Sequence, residues 1–224
     1  MVSGKNARLH SKFKKSTMES SFIERQHQKD TTRVEAFSDG VFCVALTLLA
    51  IEIGVEAKSV ETNRGLADAL ICLWPKFLAY GISFINVLLA WMGHHGLFRN
   101  LRNTDNRVMI TNGFLLLLVA LVPFPAKTLG LFLMTGAMKT AVIFYTSYFV
   151  LISIAFRLTW YAACSGKGLL VHQITWYDIN NITRNENLGL ICNCVIVLVS
   201  FISPWMGLAL SFVMCIYWLV FAKA

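Results

Sequence analysis

The 224-residue chain is 56% apolar and only 14% charged, and its mean hydropathy is +0.60. Soluble domains usually carry about 25% charged residues, so this composition excludes a soluble globular protein and indicates one integral membrane domain. The net charge of +8 is unevenly placed, because seven of the 20 Lys and Arg residues precede Arg33.

The N-terminal tail, residues 1–32, is basic and polar. We expect no signal peptide in it, because such a peptide needs an early apolar core. The pattern favours a disordered cytoplasmic arm that orients the protein in the membrane, and binding of anionic lipid is the alternative. Residues 33–224 form the predicted membrane domain.

The first predicted transmembrane helix covers residues 33–54. At about 100° per residue, its side chains separate into two faces. One face, here named the Val44 stripe, consists of Phe37, Gly40, Val44, Thr47, Leu48 and Ile51, with Arg33 at its foot. The opposite face carries Glu35, Ser38, Asp39, Phe42, Leu46 and Leu49.

The acidic residue Asp39 decides how this helix is placed. An unpaired carboxylate in lipid costs several kcal/mol, so Asp39 should face protein. We therefore expect the first helix to be central to a bundle. The Val44 stripe then faces either another helix or a central axis.

Further apolar segments are long enough to span a membrane, which takes about 20 residues. They cover residues 67–98, 108–126, 137–163 and 188–222. The last exceeds one span, and Ser203-Pro204 near its middle predicts a hairpin of two helices, because proline stops or kinks a helix. A single kinked helix, giving five spans, is the alternative. A long polar loop is predicted over 165–187.

The distribution of basic residues predicts orientation. With six spans and a cytoplasmic N-terminus, 15 of the 20 Lys and Arg residues lie on the inner side. This bias follows the positive-inside rule and predicts a multi-pass protein of the cell membrane with both termini cytoplasmic. This bias supports the number of spans only weakly, because Lys223 is the single basic residue at the C-terminal end.

Sequence motifs for other chemistry are missing. The six cysteines, Cys43, Cys72, Cys164, Cys192, Cys194 and Cys215, form no C-x-x-C pair and are expected to be small buried side chains. The chain has no G-x-S-x-G, no H-E-x-x-H and no glycine-rich phosphate loop, so we predict no catalytic residue and no enzyme. It also lacks a T-V-G-Y-G filter and an arginine-rich voltage-sensing repeat.

Polar residues cluster near the predicted cytoplasmic end of the bundle. His94 and His95 point about 100° apart on a helix, so they cannot share one metal ion as an i,i+4 pair would. A hydrogen-bonded network is favoured, and a pH-responsive element is the alternative. The predicted network, which would hold the first helix in place, consists of Arg33, Asp39, Trp91, His94 and Asn112.

Three motifs resemble a known family. The run Arg33-x-x-x-Phe37-Ser38-Asp39-Gly40, continued by Val41–Leu49, resembles the first-helix signature of the transmembrane protein 175 family. These proteins are potassium channels of endosomes and lysosomes, with bacterial and archaeal relatives. The runs Trp91-x-x-His94-His95-x-x-Phe98 and Pro123-Phe124-Pro125 resemble the same family. The resemblance covers residues 33 to about 128, and the last third of the chain agrees only in hydropathy.

The resemblance implies an all-α homotetramer with six transmembrane helices per subunit. The first helix of each subunit would line a central pore, with apolar rings in place of a carbonyl filter. By motif position, these rings fall on Val44, Leu48 and Ile51, with a threonine layer at Thr47; Val44 departs from the usual isoleucine or leucine. The residues implied in the motif and assembly network are Arg33, Phe37, Ser38, Asp39, Gly40, Trp91, His94, His95 and Asn112.

The implied function is a potassium-permeable cation channel. Its partners would be potassium and other monovalent cations, the lipid bilayer and further copies of the chain, with no cofactor and no nucleic acid. A secondary transporter or proton-coupled carrier using Asp39 and His94 is one alternative, although neither inverted repeats nor broken helices are evident. A non-conducting scaffold, in which the Val44 stripe is a helix–helix contact, is another.

Overall fold

The computed structural model describes residues 31–54, 63–166 and 168–221, and within these ranges the protein is all-α apart from one isolated β-bridge. The basic tail before residue 31, the loop residues 55–62 and Lys223 lie outside the described residues. The helices of the described part are α1 Thr31–Ile51, α2 Asn63–Cys72, α3 Trp74–Arg99, α4 Asn106–Ala120, α5 Pro123–Phe132, α6 Met138–Ser165, α7 Trp176–Ile202 and α8 Pro204–Phe221.

These helices group into six apolar segments. Five are long and apolar enough to cross a membrane within the described ranges: Thr31–Ile51, Gly65–Arg99, Asn106–Phe132, Met138–Ser165 and Trp176–Ile202. The sixth, Pro204–Val220, is apolar and shorter. The predicted all-α membrane fold with six helical segments per chain is confirmed.

The predicted end of the third span was too early. The prediction stopped at residue 126, whereas the helical segment continues to Phe132. Pro123 stands at the start of α5, where the missing N–H costs nothing because the first N–H groups of a helix lack intrahelical partners. The proline pair therefore starts a helix here instead of ending one.

The predicted polar loop over 165–187 was wrong in its second half, because α7 begins at Trp176. A capping box starts this helix. The backbone N–H of Asp178 donates to Thr175 Oγ1 over 3.2 Å, and the Thr175 N–H donates to Asp178 Oδ2 over 3.0 Å. Local capping thus starts the helix about three turns before the sequence becomes apolar.

Polar contacts to α6 hold these early turns of α7. Trp160 Nε1 donates to Thr183 Oγ1 over 2.8 Å, and Arg157 Nε donates to Asn187 Oδ1 over 2.8 Å. These pairs stabilise the helix beyond its apolar part. Because hydropathy does not register them, the predicted start of the helix was too late.

A sharp break separates α7 from α8. Ser203 is the single residue between them, and its backbone is extended, with φ −144° and ψ 115°. A Cβ atom at Gly207 would lie 2.1 Å from Ser200 Oγ and 3.1 Å from Ser200 Cα, so the two helices meet where only glycine fits. α8 also packs against α3 and α6, which confirms two helices and excludes a single continuous one.

The connections after α3 and α6, which were predicted to lie on the same side of the membrane, are in contact. The backbone pairs at Leu101 and Leu170, and Arg102 N–H donates to Leu169 O over 2.8 Å. Thr31, at the start of α1, donates from its hydroxyl to the Arg102 carbonyl over 3.4 Å. The start of α1 and the connections after α3 and α6 therefore lie at one end of the bundle.

Helix α6 lies at the centre of the core, packed against α4, α5, α7 and α8. Its Tyr145 is fully buried and shares a hydrogen bond of 3.0 Å with Ser83 of α3. The cysteines were predicted to be buried, but all six are free thiols and only Cys215 is buried. The other five are exposed or partly exposed within the single chain.

Candidate functional site

The two faces of α1 lie in different environments. Val44 is 55% exposed and Ile51 is 74% exposed, whereas Phe42 and Leu49 on the opposite face are 1% and 2% exposed. The other members of the Val44 stripe, and Arg33 at its foot, are exposed as well. Helical periodicity alone therefore separated the packed face from the unpacked face.

The Val44 stripe presents almost only apolar groups. Its one hydroxyl, on Thr47, donates to the Val44 carbonyl over 2.8 Å. Within the single chain, nothing in the described ranges covers this face. The helix thus carries a continuous apolar stripe along about four turns, from Phe37 to Ile51.

A buried hydrogen-bonded group, here named the Ser38 chain, fastens the other face of α1. It joins Ser38 of α1, Asn112 of α4 and His94 of α3, each 2% exposed or less. The Ser38 hydroxyl donates to the Val34 carbonyl over 2.8 Å, and Asn112 Nδ2 donates to Ser38 Oγ over 3.0 Å. The Asn112 amide oxygen lies 2.9 Å from His94 Nε2.

The directions of these bonds fix the tautomer of His94. The Asn112 oxygen can only accept, so His94 Nε2 donates and carries the proton. Nδ1 has no hydrogen-bond partner among the described residues. The imidazole ring lies against Phe98 and Phe42, with centroids 4.3 and 5.3 Å away. A proton path through His94 would need a second polar partner at Nδ1, where the ring meets apolar groups.

Two further contacts connect α1 to α3. Trp91 Nε1 donates to Asp39 Oδ1 over 2.8 Å, and His95 Nδ1 lies 2.9 Å from Glu35 Oε1. Both pairs are spaced four residues apart on each helix, so they form two successive rungs between the helices. Sequence reasoning placed Asp39 against protein but missed the Glu35 partner of His95.

Arg33 does not join this network within the chain. It is exposed, and its side chain makes no hydrogen bond or ion pair with the described residues. Arg33 precedes Asp39 by six residues, which rotates it about 120° round the helix onto the Val44 stripe. The predicted single network is therefore two separate groups, the Ser38 chain and the pair of rungs, with Arg33 outside both.

Comparison with known proteins places these features in a family. The family model described as "Endosomal/lysosomal potassium channel TMEM175" matches residues 33–123. A potassium channel of Chamaesiphon minutus is 36% identical over 202 residues, which is 90% of this chain and 100% of that protein.

More distant relatives match shorter parts. A potassium channel of Streptomyces collinus is 36% identical over 133 residues, 59% of this chain and 64% of that protein. The human endosomal/lysosomal proton channel TMEM175 is 38% identical over 97 residues, which is 41% of this chain but only 19% of the human protein.

Solved structures agree with these matches. The crystal structure of a lysosomal potassium-selective channel TMEM175 homolog from Chamaesiphon minutus superposes with a TM-score of 0.79 at 37% identity, covering 88% of this chain and 100% of that one. The potassium channel MtTMEM175 gives a TM-score of 0.57 at 19% identity, covering 84% of this chain and 87% of that one, and shares the fold.

Proposed function

Because this chain belongs to the TMEM175 family of potassium channels, we propose that it forms a potassium-permeable cation channel lined by α1. The observation that carries the proposal is the Val44 stripe, an apolar face of α1 that the single chain leaves uncovered. A lone subunit encloses no pore along this face. We therefore place it on the axis of a homotetramer.

Four copies of α1 would stack apolar rings along that axis. Val44, Leu48 and Ile51 are spaced i, i+4 and i+7, so they share one side of the helix. Thr47 adds a hydroxyl at the edge of these rings. Phe37 and Arg33 lie on the same side nearer the start of the helix, where they would meet neighbouring subunits.

The apolar rings suggest how the channel selects ions. A narrow apolar constriction excludes water, so a cation must shed part of its hydration shell to pass. Potassium loses water more easily than sodium, so such rings favour potassium without binding it. This mechanism gives modest selectivity, and it needs no carbonyl filter.

The orientation follows from the charge distribution. We propose that the chain is a multi-pass protein of the cell membrane, with both termini on the cytoplasmic side. The meeting of the α1 start with the connections after α3 and α6 supports this, because those segments carry the basic excess.

Flux measurements on the purified protein in liposomes test the channel function. We expect Ile51→Asn to raise potassium conductance and to reduce the preference for potassium over sodium, because polar atoms lower the desolvation cost of the ring. Leu46→Asn, on the packed side of the same helix, is the matched control and should affect mainly expression. Equal conductance and selectivity in folded wild type and Ile51→Asn would remove α1 from the pore.

The structure lends little support to a carrier. Asp39 and His94, the candidate relay groups, belong to two different hydrogen-bonded groups and point away from the Val44 stripe. A channel passes current that grows linearly with voltage, a carrier saturates with its substrate, and a scaffold does neither. The same liposome flux assay therefore separates the three functions.

A further inference from the structure

The last turn of α1 is not held by apolar packing. Leu49 is the last fully buried residue of this helix, and beyond it a cavity of about 390 Å³ separates the helix end from α3 and α5. Its lining includes Ile51 and Glu52 on one side, Lys76 and Tyr80 of α3, and Lys127 and Gly130 of α5.

Two lysines cross this gap. Lys127 Nζ lies 2.7 Å from Glu52 Oε2, and Lys76 Nζ donates to the Gly54 carbonyl over 3.1 Å. The contacts follow Ile51 directly in the chain, at the end of the Val44 stripe. They connect the part of α1 that lacks apolar neighbours to the rest of the bundle.

The two helices that carry these lysines, α3 and α5, are tightly packed against each other. A Cβ atom at Gly130 would lie 3.1 Å from Lys76 Cα and 3.4 Å from Lys76 Cγ, so the backbones of α3 and α5 are nearly in contact at this level. Because the helices cannot move apart or together here without a clash or a void, the bases of both lysines keep a fixed separation.

We propose that Lys76 and Lys127 are positioning residues that fix the last turn of α1 and thereby set the pore width at Ile51. The inference rests on the proposed channel function. Glu52 and Lys127 together carry no net charge, so the pair acts through geometry rather than by attracting cations to the mouth of the pore. Loss of the pair lets the last turn move into the cavity and changes the ring at Ile51.

The decisive variant is the double substitution Glu52→Gln with Lys127→Met, which removes the ion pair and leaves the summed charge unchanged. The potassium-to-sodium permeability ratio is measured in planar bilayers at 0.1 M and 1 M salt, where charges are screened over about 10 and 3 Å. We expect the ratio to change by about twofold or more at both salt concentrations. Lys127→Arg should keep the wild-type ratio, because arginine also pairs with Glu52.

Two further variants complete the design. Lys139→Met removes an exposed lysine at the start of α6, outside the cavity lining, and should leave the ratio unchanged. Lys76→Met removes the contact to Gly54 together with one positive charge, so it is also measured at both salt concentrations, and it carries the test if the double variant fails to assemble. Its ratio should move in the same direction as that of the double variant.

Three results would overturn the inference. An unchanged ratio in the folded double variant and in Lys76→Met means that neither lysine positions α1. A change seen at 0.1 M but absent at 1 M assigns the effect to surface charge. In both of these cases the wild-type protein still conducts potassium, so the proposed channel function stands. The third result, absence of a potassium current in the wild-type protein, overturns the channel function itself and this inference with it.

Discussion

The Ser38 chain predicts that Asn112→Leu destabilises the protein strongly although the two side chains have similar size. The substitution leaves the buried Nε2–H of His94 without an acceptor, and a buried donor without a partner costs about 1–3 kcal/mol. Ser38 keeps its bond to the Val34 carbonyl, so the penalty falls mainly on His94. We expect a loss of about 2–3 kcal/mol, including the lost bond between Asn112 and Ser38.

A second substitution separates this cause from a packing defect. His94→Phe keeps an aromatic ring against Phe98 and Phe42 and removes both ring nitrogens. Replacing both partners of a buried hydrogen bond by apolar groups of similar shape is nearly neutral. The double variant His94→Phe with Asn112→Leu should therefore recover most of the stability that Asn112→Leu loses.

Thermal unfolding of the detergent-solubilised protein, followed by tryptophan fluorescence, measures the effect. For a chain of this size, 2–3 kcal/mol corresponds to a fall in the apparent Tm of about 4–12 °C. A double-mutant cycle over positions 94 and 112 gives the coupling between them. If the losses of the two single variants simply add in the double variant, the hydrogen-bond argument is refuted.

Two other predictions concern the last two helices. Gly207→Ala should lower the free energy of unfolding by the cost of overpacking, about 1–3 kcal/mol, and so lower the apparent Tm, because the new Cβ meets Ser200. A Cβ at Gly189 in α7 meets nothing within 4 Å, so Gly189→Ala should be neutral or stabilising. Equal effects of the two alanines would contradict the close approach of α7 and α8. A reporter fused after Ala224 should localise to the cytoplasm, and an external reporter would exclude the six-span topology.

The first helix shows what sequence alone predicts well. Its exposed and buried faces followed from periodicity, because one side had to bury apolar side chains and the other did not. Its capacity to span a membrane followed from hydropathy. Asp39 against protein followed from the cost of a charge in lipid, and the structure supplies Trp91 as its partner.

The features that were not predicted depend on the direction of side chains round a helix and on contacts made by long polar side chains. Hydropathy contains no information on either. Arg33 and Asp39 belong to the same motif, yet they point in different directions round α1. The start of α7 depends on a capping box and on pairs with Trp160 and Arg157. The contact between Lys127 and Glu52 joins residues 75 positions apart through long side chains across a cavity.

The Val44 stripe also has a consequence for biosynthesis. Lipid tails are as apolar as leucine and isoleucine, so a newly inserted subunit meets no penalty when this face lies in the bilayer. Burial of the stripe therefore contributes little to assembly of the proposed tetramer, which must draw on close packing and on polar contacts between subunits. The apolar side chains that would exclude water from the proposed pore therefore also allow a single subunit to remain in lipid before it assembles.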